Sequence, residues 1–139
     1  MDTREYLNQI QRYDKIIHNK REEIEYLRSL ATGLSSFSNA EKVQSSGNQD
    51  KIGTIVARIV DLQAEIADTT NEYLDKRADV IRTIDSVTNP VLYDILFKKY
   101  IEGKLLDKIA DEIGYSYQRT KELHLSAIMT VKNICNFDS

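Results

Sequence analysis

Ser116-Tyr117-Gln118-Arg119-Thr120-Lys121-Glu122 is the stretch of this chain best equipped for recognition chemistry. The Gln118 carboxamide sets a donor beside an acceptor, the pair that matches the major-groove edge of adenine, and a Glu122 carboxylate can accept from the amino group of cytosine. Arg119 and Lys121, with Lys108 a little upstream, offer cations to phosphate oxygens. Reaction chemistry finds no such footing. His18 and His124 stand far apart, and neither has a second His or a Cys at metal-ligand spacing. Glu22, Glu23, Asp61, Glu65, Asp68, Glu72 and Asp75 lack the Glu-x-x-His signature of di-metal bundles and read as a solvated acidic face. Cys135 has no His beside it, and the chain holds neither a Gly-rich phosphate loop nor a Gly-x-Ser-x-Gly elbow. No enzyme activity, cofactor or metal site is expected.

For those side chains to reach a groove, an element must hold them out. Pro90 to Glu102 predicts a helix with Leu92, Ile95, Leu96 and Tyr100 inward, closed by Gly103. Leu105 to Ile113 predicts a short helix with Leu106, Ile109, Ala110 and Ile113 toward a core. A last helix runs from about Tyr117 to Asn133, with Leu123, Ala127, Ile128 and Val131 on one side. Helices that cross steeply need a small residue at the crossing, which Ala110 supplies. The tight turn needs positive φ, which costs Gly114 little. Ser116 is placed to cap the last helix with its hydroxyl. These features agree on a helix-turn-helix that presents the start of its final helix to a major groove. A plain three-helix packing unit is the simpler alternative.

The rest of the chain must carry this unit. Tyr6, Ile10, Tyr13, Ile17, Ile24, Leu27 and Ala31 follow an alternating 4-3 spacing broken only at Lys20, so Thr3 to about Ala31 predicts one amphipathic helix about 43 Å long. Ile52, Ile55, Ile59, Leu62, Ile66, Tyr73, Val80, Ile84 and Val87 mark a second helix from about Asp50 to Val87, with Thr69 and Lys76 as weak points. Residues 32–49 predict a loop. Gly33 would stop the first helix, and either a Ser46–Gln49 capping box or Asn48 would start the second. Two similar seams and a connection long enough to fold back predict an antiparallel, coiled-coil-like helical hairpin, closed within one chain or between copies. Asn89-Pro90 is the sharpest boundary. The expected domains are therefore 1–88, a hairpin that oligomerises, and 89–139, the helix-turn-helix, in an all-α chain.

Composition agrees. One proline and five glycines in 139 residues leave too few turn makers for a sandwich of short strands. A lone cysteine excludes an internal disulfide framework and suits a reducing cytosol. Met1-Asp2-Thr3-Arg4-Glu5 does not open a signal peptide, and no run approaches the roughly 20 apolar residues of a membrane span, so no membrane partner is expected. The net charge of −3 lies entirely in the hairpin: residues 1–89 hold 12 basic and 15 acidic side chains, and residues 90–139 hold 7 of each. Any nucleic-acid surface must be local.

Leu106, Ile109, Ala110, Ile113, Gly114, Ser116, Arg119, Ala127 and Ile128 stand at the positions of the Leu-x-x-Ile-Ala-x-x-Ile-Gly helix, the following Ser and the recognition helix of one known family. Residues 90–131 thus resemble region 4 of bacterial sigma factors. Nearly the whole chain is similar to small phage and prophage proteins of low-GC Gram-positive bacteria related to the RinA/ArpU late-gene regulators. The wider likeness runs through Val43-Gln44-Ser45-Ser46-Gly47-Asn48-Gln49-Asp50 and Ile59-Val60-Asp61-Leu62. The resemblance implies a transcription regulator in the cytoplasm of a bacterial host, bound to double-stranded DNA. It puts Tyr117, Gln118, Lys121 and Glu122 at base or groove contacts and Arg119 near the backbone. Sigma recognition helices are usually more basic than this one. So few cations per copy imply modest affinity summed over a homodimer or higher oligomer. The rival implication is an adaptor that docks on host RNA polymerase with little DNA affinity of its own. A third is a coiled-coil protein whose C-terminal helices cap an assembly.

Overall fold

Helix α1 begins at a reciprocal cap. The Glu5 N–H donates to Asp2 Oδ1 at 2.8 Å while the Asp2 N–H donates to Glu5 Oε2 at 3.3 Å, satisfying two amides that a helix start leaves orphaned. The computed structural model describes the backbone of residues 1–40 and 45–136. The chain runs α1 (Thr3–Ala40), α2 (Ser45–Asp85), α3 (Pro90–Leu96), a π-helical turn (Phe97–Ile101), α4 (Leu106–Ile113) and α5 (Tyr117–Cys135). Among the described residues there is no strand. The fold is all-α, two long N-terminal helices packed as an antiparallel hairpin followed by shorter helices.

The expected loop 32–49 is largely helical. Gly33 lies inside α1 rather than stopping it, and Ser46, Asn48 and Gln49 lie inside α2 rather than capping it; residues 41–44 fall outside the described residues. Beyond Gly33, Leu30 and Leu34 line a groove of about 510 Å³ with Asp50, Lys51, Thr54 and Ile55 of α2. A glycine inside a helix costs about 1 kcal/mol, which a helix of 38 residues can absorb.

Two compact units divide the chain, Met1–Asp14 with Glu72–Ser139, and Lys15–Asn71. In the second, Ile24, Leu27 and Leu62 are buried together, with Ile55, Ile59 and Ile66 packed against them. Lys20, the break in the apolar stripe, brings its ammonium 3.6 Å from Glu65 of α2.

The first unit holds the larger core. Tyr6, Leu7 and Ile10 of α1 and Val80 and Ile84 of α2 join Val87, Leu92, Leu96, Tyr100, Ile101, Ala127, Ile128 and Val131. Tyr6 Oη bonds Asp79 Oδ2 and Thr83 Oγ1, each at 2.7 Å, and burial pushes its hydroxyl up to about 12. The expected boundary at Asn89-Pro90 is a change of helix: Asn89 Oδ1 accepts from the Val91 and Leu92 N–H groups at 3.0 and 3.2 Å. The compact units divide elsewhere, within the two long helices, because the start of α1 and the end of α2 bury side chains with α3 and α5.

Candidate nucleic-acid interface

The turn between α4 and α5 is built from the residues that the sequence nominates. Gly114 adopts φ 79° and ψ 24°, the left-handed conformation open to glycine, and its N–H donates to the Ala110 carbonyl at 3.0 Å. Ala110 itself is buried. Ser116 takes extended backbone angles and its Oγ accepts from the Arg119 N–H at 3.1 Å. Thr120 locks the same turn from inside, its hydroxyl donating to the Ser116 carbonyl at 2.8 Å. Ser116, expected among the contact residues, therefore acts first as a cap.

Thr120, His124, Ala127, Ile128 and Val131 are buried along one side of α5; Gln118 and Glu122 point away from that side, Tyr117 and Lys121 lie close to its line at the start of the helix, and all four are exposed. Lys108 on α4 is exposed as well. Lys121 and Tyr117 are not independent, since the ammonium stands 5.5 Å from the ring centroid in a cation–π contact. Arg119 and Glu122 pair across one turn, Nη1 to Oε2 at 3.2 Å. That pairing qualifies their expected roles, because each charge is partly answered by the other before a ligand arrives. Tyr117 also lines a concavity of about 510 Å³ with Lys99, Leu105, Leu106 and Asp107.

Three supports under this surface escaped sequence reasoning. Glu112 of α4 binds two lysines at once, Lys98 of the π-turn at 2.8 Å and Lys104 at 2.9 Å. Those ammonium groups hold its carboxyl down at about 2. The π-turn is the second support. The Glu102 N–H reaches back to the Phe97 carbonyl and the Lys104 N–H to that of Lys98, while Gln11 Nε2 donates to the Tyr100 carbonyl at 3.2 Å. The third is a buried pair in which Tyr100 Oη meets His124 Nε2 at 2.7 Å. Burial, with Lys99 and Arg4 nearby, lowers His124 to about 4, and burial raises Tyr100 to about 12. The spacing of Thr120, His124, Ala127 and Val131 would have flagged His124 as a core residue. No local signal joins Glu112 to Lys98.

Among the described residues no group of three or more His, Cys, Asp or Glu is placed to hold a metal ion, and no helix is long and apolar enough to cross a membrane. A family model described as "Protein of unknown function (DUF1492)" matches residues 33–131, well over half of the chain. The chain belongs to the DUF1492 family. Neither a curated protein nor a solved structure is matched. The DUF1492 match takes in all of α2, α3 and α4 and most of α5, so the left-handed turn and the capped, outward-facing helix start lie inside the family segment.

Proposed function

We propose that this protein is a DNA-binding transcription regulator of phage or prophage origin. It lays the start of α5 in the major groove, and its hairpin joins copies so that several such helices act together. The observation that carries this reading is the exposed row Tyr117, Gln118, Lys121 and Glu122, held out by a glycine turn and a serine cap on a buried helix face. The resemblance to sigma region 4 over residues 90–131 supports the same role. Gln118 and Glu122 are the base readers, Lys121 and Lys108 hold phosphates, and Arg119 alternates between Glu122 and the backbone.

Fluorescence polarisation against the region upstream of its own operon tests this. Lys121→Ala should weaken binding alike on all sequences and lower the slope of log K against log salt by about one. Gln118→Ala should cost about 1–3 kcal/mol on the preferred site and little elsewhere. The absence of any sequence preference at low salt would defeat the reading.

One observation favours the adaptor alternative. Arg119 is paired with Glu122, Lys98 and Lys104 are paired with Glu112, and Leu125 and Met129 are exposed one and two turns further along α5. An apolar face of that kind suits a protein partner. Capture of purified host RNA polymerase that survives Lys121→Ala but fails with Leu125→Glu would select it.

A further inference from the structure

Helix α2 carries two heptad stripes offset by one residue. Ile52, Ile55, Ile59, Leu62 and Ile66 repeat at alternating intervals of three and four, and Leu62 is buried with Ile55, Ile59 and Ile66 against α1. One position further on, Gly53, Val56, Val60, Gln63 and Ala67 repeat the same intervals. This second stripe is open to solvent, with Val56 49% and Val60 57% exposed, and a Cβ added at Gly53 would meet nothing within 4 Å. A helix with two adjacent seams is patterned to pair with two helices, and only one seam is filled.

Charge decides what fills the other. At 100° per residue, Asp50, Lys51, Arg58, Asp61, Glu65 and Asp68 all fall in one sector of α2, away from this stripe. From Gln49 to Asn71 the stripe and both its margins hold no charged residue, over about 34 Å of helix. An isologous contact sets a surface against itself, so a charged face would oppose like charges, whereas the α2 stripe opposes none; the charges beside it, Arg21, Glu25 and Arg28 of α1 across a concavity from Gln63, are of both signs, and Arg28 is already paired with Glu25 at 2.8 Å. Ala57 and Ala64 lie seven apart on the margin and allow two backbones to approach closely. Need points the same way. Among the described residues of Lys15–Asn71 the buried apolar side chains are Ile17, Ile24, Leu27 and Leu62, a thin core for two helices.

We propose that a second copy of this chain covers this face, α2 against α2 about a two-fold axis, making a four-helix arrangement from two hairpins. This specifies the oligomerisation half of the proposed function and rests on it, but is independent of DNA binding. Sedimentation equilibrium on the full chain tests it. The wild type should be a dimer, and Val56→Glu with Val60→Glu should weaken self-association at least about a hundredfold, by burying carboxylates in an apolar contact, with helical circular dichroism unchanged. A dimer that persists in this variant overturns the assignment of the face and leaves oligomerisation standing. A wild type monomeric at every concentration overturns both. Should the double variant unfold, Val60→Cys in a Cys135→Ser background should cross-link between copies on mild oxidation, while Arg58→Cys on the charged sector should not. The reverse pattern overturns the proposal.

Discussion

Gly114 is where one side chain decides the most. At φ 79° a β-branched residue is strained even though open space surrounds the position, so the cost is conformational rather than steric contact with neighbours. Gly114→Val should lower stability by about 1–2 kcal/mol or more, whereas Gly114→Asn, a residue that tolerates this region, should lose much less. Thermal unfolding of the two variants separates them, and equal losses would mean that the turn is not held left-handed. Glu112 is the second such residue. Its carboxyl is depressed in the folded protein, so its contribution is present above the ordinary carboxylate range and is lost as pH falls from about 4.5 toward 2. Glu112→Gln should flatten that part of the pH–stability curve and leave the curve above pH 5 nearly parallel to wild type.

Among the elements, the join between the π-turn and α5 sets the orientation of α5. Tyr100 and His124 make it through a buried hydrogen bond between rings whose centroids lie 5.7 Å apart. His124 is depressed to about 4 in the fold and titrates near 6.5 when unfolded. Above pH 6.5 it is neutral in both states and costs nothing. As pH falls from 6.5 to 4 the unfolded chain takes up a proton that the folded chain refuses, and stability drops by at most about 1.4 kcal/mol per pH unit. Melting temperature followed from pH 7.5 to 4.5 should show this decline, and His124→Phe should remove the decline whatever its effect on absolute stability. A histidine that kept its slope-producing titration near 6.5 in the fold would give a flat curve instead.

For the whole molecule, the boundary that matters is not the proline. Pro90 starts a new helix, yet Leu92, Leu96, Tyr100, Ala127 and Val131 share their core with Tyr6, Leu7, Ile10, Val80 and Ile84. A fragment of residues 89–139 should therefore fail to unfold cooperatively on heating, having lost the partners of its apolar side. The full chain should show a cooperative transition. A sharp melt of the isolated fragment would show that α3 to α5 form an independent domain.

Much of this protein is decided within a turn or two of chain. The 4-3 spacing of apolar residues on α1 and α2, the Ser116 cap, the glycine at the α4–α5 turn and the outward start of α5 all depend on neighbours three or four residues apart, so they can be read in order along the sequence. What depended on docking could not be read that way. Gly33 reads locally as a stop signal although α1 runs on through it, and Leu7, off the hairpin stripe, is buried in the core shared with α3 and α5. Glu112 with Lys98, Gln11 with the Tyr100 carbonyl, and Tyr100 with His124 are pairs between elements. The distances between those polar groups are set by how hydrophobic burial docks the elements, and no local run of sequence specifies them.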